Sequence, residues 1–105
     1  MIARVWNGRA EGAQAAAYRT LLTETIMPGI AARGIDGYFG YELWERDAPD
    51  GGTIFTTVLR FCSEDAIEGF VGKDLTRANL PEAALKLLSD WDTHAVHYVI
   101  NRSFE

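Results

Sequence analysis

The sequence predicts an α+β domain in which helices cover one face of an antiparallel sheet. Three observations carry this. Segments dense in β-branched and aromatic residues alternate with segments of alanine, leucine and polar residues at helical spacing. A glycine-rich turn joins two of the strand-like segments directly. The resulting order is strand, helix, strand, strand, helix, strand, which is not the regular alternation of a parallel sheet.

Ile2–Arg9 (IARVWNGR) reads as the first strand, with β-formers at Ile2, Val5 and Trp6. From Glu11 to Arg33 the pattern turns helical, with Tyr18, Leu21, Leu22, Thr25 and Ile26 on one face. Pro28 and Gly29 interrupt that pattern and Gly34 closes it. Ile35–Asp47 (IDGYFGYELWERD) is the second strand, roughly 40 Å if fully extended. Strict alternation puts Phe39, Tyr41 and Leu43 on one side and Tyr38 and Trp44 on the other. The turn Ala48-Pro49-Asp50-Gly51-Gly52 leads into a third strand, Thr53–Cys62. Ser63 is placed to cap a short helix, with Glu64 and Asp65 in its first turn and Gly72 as its stop. Pro81-Glu82 opens another turn or two of helix, with Leu85 and Leu88 as its buried face. Thr93–Arg102 (THAVHYVINR) is the last strand. This order is that of the ferredoxin-like motif.

Length and composition narrow the classes of function. The chain has 105 residues, 48% of them hydrophobic, which fits one domain over residues 1–105 with a real core. A net charge of −5, with the basic residues scattered, argues against nucleic acid as a partner. Cys62 is the single cysteine, so no internal disulfide can form, and a buried, inert thiol is expected. No secretory leader and no run approaching the ~20 apolar residues of a membrane span is visible, so a soluble cytoplasmic protein without a membrane partner is the expectation.

The face of the sheet away from the helices poses a problem. It is expected to carry Trp6, Tyr38, Trp44, Ile54 and Val58, too much apolar surface to leave in water. A second copy of the same sheet would cover it through a two-fold contact. The homodimer is therefore the expected partner.

The segments IARVWNGR, YFGYELWERD, FCSEDAIEGFVGKD and VHYVI, in that order, resemble the antibiotic biosynthesis monooxygenase family. The resemblance implies a ferredoxin-like subunit that pairs face to face as a dimeric α+β barrel. It also implies a range of activities: cofactor-independent monooxygenation, haem degradation, or no known reaction. The haem-degrading branch uses an asparagine, a tryptophan and a histidine. Asn7 matches the first, but the other two positions fall on Phe70 and on Leu80 or Asn79, and leucine cannot ligate iron. No cofactor is therefore expected.

The candidate site residues follow from the resemblance together with residue chemistry. Asn7 is either an edge amide or a donor to an enolate or peroxide oxygen; as a functional group, its loss would leave stability nearly unchanged. His97 is a candidate acid or base near neutral pH. His94 and His97 are an odd number apart, so on one strand they point to opposite faces and cannot share a metal. No metal site is expected. Tyr38, Trp44 and Glu42 are expected to shape the ligand pocket, Glu42 being either paired with Arg60 or a proton-transfer group. Two functions remain open. One is a cofactor-independent monooxygenase acting on an aromatic or polyketide-type phenol. The other is a non-enzymatic dimer that binds a small hydrophobic or aromatic molecule or supports a pathway.

Overall fold

The computed structural model describes residues 1–104. The chain runs β1 (Ile2–Ala10), α1 (Ala13–Leu21), a π-helical turn over Leu22–Ile26, α2 (Met27–Ala32), β2 (Tyr38–Asp47), β3 (Thr53–Phe61), α3 (Glu64–Val71), α4 (Glu82–Leu85), β4 (Asp90–Trp91) and β5 (Val96–Val99). The strands form one antiparallel sheet in the order β2-β3-β1-β4, with β5 also pairing with β1. This is the expected α+β, ferredoxin-like arrangement, with the first strand in the middle. The last strand differs from expectation. It is split into β4 and β5, and the chain between them runs beside the middle of β1, where the backbone N–H of Asp92 donates to the carbonyl of Asn7 at 2.9 Å.

The helices cover one face. Phe55 and Phe61 of β3 are fully buried against Tyr18, Leu22, Ala66 and Ile67 from the helical layer. Burial of each such side chain contributes roughly 1.5–3 kcal/mol. Tyr18 meets Phe55 edge to face, with ring centroids 5.1 Å apart. The Ser63 hydroxyl caps α3 by accepting from the Ala66 N–H at 3.2 Å, as its position predicts. In α4, Ala84 is the buried residue and Leu85 is exposed; Leu88, just beyond the helix, is buried. The long helix loosens one turn earlier than Pro28 itself. A proline ring collides with the carbonyl four residues before it, here Glu24, and the wide π turn over Leu22–Ile26 opens that carbonyl row so that helix can continue through Pro28.

The phase of the strands corrects two expectations. Trp6 and Tyr38 do not lie on the uncovered face. Trp6 belongs to the buried cluster with Tyr18 and Phe55, and Tyr38 packs on Phe61 with ring centroids 5.7 Å apart. For Tyr38 the reason is an irregularity in register between Tyr38 and Tyr41, at Gly40 (φ 109°), which resets the alternation along β2. Trp6 pairs with Thr57 and so shares the helix-side face of β3, not that of Ile54 and Val58. Trp44, Ile54 and Val58 do face away from the helices. They share that face with Asn7, Thr56, Val5, Val96 and Tyr98, as the pairing of β1, β3 and β5 requires. Cys62 is exposed, not buried, at the junction of β3 and α3. Among the described residues no helix is long and apolar enough to cross a membrane.

Candidate functional site

The best-formed cavity lies between the sheet and the helices. It has a volume of about 140 Å³. Its floor is β1 and β3, through Arg4, Trp6, Thr57 and Leu59, and its walls are Tyr18, the π turn with α2, and Phe70 of α3. The segment Ala78–Pro81 closes one side. Strand alternation builds this floor. Arg4 and Trp6 are two residues apart on the central strand, so both point toward the helices. Gly8 follows on the same side, and the Trp6 ring leans over it: a Cβ at Gly8 would stand 2.7 Å from the indole. The indole N–H is held by the Asp92 carbonyl at 2.7 Å.

Arg4 is the unusual member. It is only 5% exposed. Its Nη1 donates to the Leu75 carbonyl at 2.6 Å and its Nη2 to the Arg77 carbonyl at 2.9 Å, so it ties down the chain between α3 and α4. Nη1 also stands 3.0 Å from Nε2 of His97, its cross-strand neighbour on β5. A guanidinium only donates, so Nε2 is the acceptor and the proton of the neutral ring belongs on Nδ1. Burial pushes the Arg4 pKa down, though a guanidinium stays charged. His97 is held below its ordinary value by burial and then by the Arg4 charge, with Glu64 pulling weakly the other way. Burial also pushes the Tyr18 hydroxyl up, so at neutral pH it is protonated.

The residues singled out from sequence do not gather in one place. His97 stands behind Arg4 on the helix side of the sheet. Asn7 is on the opposite face, where its Oδ1 accepts from the Thr56 hydroxyl at 2.5 Å and its Nδ2 donates to Asp92 at 3.1 Å. Asn7 and His97, the two catalytic candidates, thus stand on opposite faces of the sheet within one chain: successive residues of a strand alternate, and Arg4, which faces His97, is three positions from Asn7. Glu42 is paired with Arg60 at 3.0 Å and accepts from the Trp44 indole at 3.1 Å, on the uncovered face. Tyr38 lies on the helix side but outside the cavity, and its hydroxyl is buried without a partner. His94 is exposed beside Thr93, and among the described residues no three His, Cys, Asp or Glu side chains gather as metal ligands. Phe70, Asn79 and Leu80 line the cavity.

Sequence reasoning missed Arg4, Tyr18 and Thr57 as site residues. The available signal was Arg4 itself: a charged residue inside the apolar run IARVW, on the same face as Trp6.

No protein-family model matches the chain, and no curated protein matches it. Its structure is similar to that of a "putative antibiotic biosynthesis monooxygenase" from Bacillus cereus, with 14% sequence identity and a TM-score of 0.68, covering 100% of this chain and 95% of that one. It is also similar to Rv0793 from Mycobacterium tuberculosis, with 20% identity and a TM-score of 0.55, covering 99% of this chain and 96% of that one. At these identities the likeness is one of fold. It runs end to end, and the Bacillus protein carries the name of the family that the sequence resembles.

Proposed function

We propose that this chain binds a small, largely apolar molecule in the cavity between sheet and helices, and that it does so as a homodimer. The observation that carries the binding site is the cavity of about 140 Å³ itself, walled by Trp6, Tyr18 and Phe70 with few polar groups. Binding sites are typically concave, apolar and pre-formed, with a small number of placed polar groups. An apolar cavity of about 150 Å³ accommodates a benzene-sized molecule. One-ring phenols are therefore the probes. Phenol itself should perturb the NMR signals of Trp6, Tyr18 and Phe70, and Ala78→Leu, which adds bulk to the cavity wall, should abolish the effect. A parent protein that binds no one-ring compound would remove this reading.

The uncovered face supports the dimer. Trp44 and Tyr98 are 52% and 58% exposed there, with Val96 beside them, and scattered single apolar residues would need no explanation but a shared face does. Trp44, Glu42 and Asn7 belong to that face in this reading, and act on assembly before they act on any ligand. Sedimentation should give twice the chain mass at micromolar concentration; a monomer would remove the dimer from the proposal.

A second reading makes the site that of a cofactor-independent monooxygenase on an aromatic or polyketide-type phenol. It is favoured by Arg4, whose charge would stabilise the phenolate, the electron-rich form that reduces dioxygen. In that reaction the phenol is oxidised to a quinone, one oxygen atom entering the ring and the other leaving as water. His97 would then be a positioning residue behind Arg4, and oxygen uptake matched to quinone formation is the measurement that separates this reading from binding alone.

A further inference from the structure

The charges around the cavity run against the charge of the chain. The protein carries 15 acidic residues against 10 basic ones, yet the cavity is lined by two arginines, Arg4 and Arg33, and by no acid. Both guanidiniums lie over the Phe70 ring, with their central carbons 5.6 Å and 5.3 Å from its centroid. Neither has a carboxylate partner among the described residues. The ion pairs there involve Arg9, Arg19, Arg60 and Lys86 instead. Arg33 spends its donors on the carbonyls of Gly69 and Phe70 at 3.3 Å and 3.2 Å, near the end of α3.

Arg4 is the decisive residue. Removing a cation from water is costly unless a counter-charge or a full set of hydrogen bonds compensates it. Two backbone carbonyls and His97 take part of its five-donor set, and no protein acceptor meets its Nε–H among the described residues. Such a side chain, 5% exposed and facing an apolar chamber, is a counter-charge waiting for an anion.

We infer that the ligand of this cavity is a monoanion on a single ring, an aromatic carboxylate whose charge sits against Arg4 and whose ring lies among Trp6, Tyr18 and Phe70. Carboxylate is favoured over other anions because a guanidinium with donors to spare matches two oxygens better than one. Arg33 at the cavity edge adds attraction at longer range. The inference rests on the cavity being the binding site, and it names the chemistry of what enters.

The test is calorimetry on the intact protein with benzoate and with benzamide, its neutral counterpart of nearly the same shape. Benzoate should bind at least tenfold more tightly, and added salt should narrow the gap. Arg4→Gln should erase the preference. Because Arg4 also ties down Leu75 and Arg77, Arg33→Gln serves as a second variant: Arg33 is exposed, and its loss should weaken benzoate a few-fold while leaving benzamide unchanged. A third probe, 4-nitrophenol above and below its own ionisation, separates the two oxygen anions. Tightening of the phenolate without any for benzoate would overturn the carboxylate assignment. Equal binding of benzamide and benzoate would overturn the anion inference while leaving the cavity as a binding site. Binding of no one-ring compound at all, charged or neutral, would overturn the site itself.

Discussion

Arg4 and His97 sit directly across the β1–β5 ladder from each other, with 3.0 Å between Nη1 and Nε2. The histidine accepts from a neighbour that is always charged, so its neutral form is the one that fits the folded protein. Its pKa is accordingly depressed, first by burial and second by Arg4. The linkage has a definite sign. Below the ordinary value of 6.5 the unfolded chain takes up a proton that the folded one resists, so stability falls as pH drops through that window. Melting the parent and His97→Gln between about pH 7.5 and pH 5 should show a steeper loss for the parent on the acid side. Parallel curves would mean that His97 titrates in the folded protein as it does in water.

Tyr38 carries a hydroxyl buried without a hydrogen-bond partner, and burial raises its pKa. An unpaired buried polar group is a cost of about 1–3 kcal/mol that the fold has absorbed. Tyr38→Phe keeps the ring against Phe61 and removes the hydroxyl, so it is expected to raise stability by up to about 1 kcal/mol in urea unfolding. A loss of that size instead would point to a partner acquired in solution.

Asn7 is expected to behave as a structural amide. Thr56 donates to its oxygen, and Asp92 accepts from both its amide nitrogen and its backbone N–H, the latter at 2.9 Å. Asn7→Ala takes the acceptor from the Thr56 hydroxyl and leaves the Asp92 carboxylate with the backbone N–H alone, for an expected loss of about 1–2 kcal/mol. Asp92→Ala should cost a similar amount, and the double variant less than the sum, because the two side chains share one network. Independent, additive losses by chemical denaturation would dissolve the network. A functional Asn7 would instead leave stability nearly unchanged when replaced, so the same measurement separates the two roles.

How much was legible in the sequence depended on whether the signal was local. Ser63 capping α3, Gly72 ending it, the hairpin around Pro49–Gly52 and the Glu42–Arg60 pair all follow from neighbours along the chain or across one turn. The strand phase did not survive Gly40, because a residue with φ 109° breaks the two-residue count; the lone glycine inside YFGYELW is a bulge signal that strict alternation passes over. Tyr38 and Trp44 were therefore expected on one face and are found on two. The site shifted for a related reason. Asn7 and His97 stood out as polar residues in apolar strands, whereas Arg4 was one of several dispersed cations, and only the fold shows that the helical layer closes over it.

The indole leaning over Gly8 has one more consequence. Trp6 is 7% exposed beside the cavity, while Trp44 and Trp91, at 52% and 38%, lie outside it. The three chromophores thus divide into one that touches the proposed ligand cavity and two that do not. Phenylalanine at Trp44 and Trp91 would leave a protein whose entire tryptophan emission reports from beside the cavity, so that occupancy becomes readable as light from a residue the fold already holds in place.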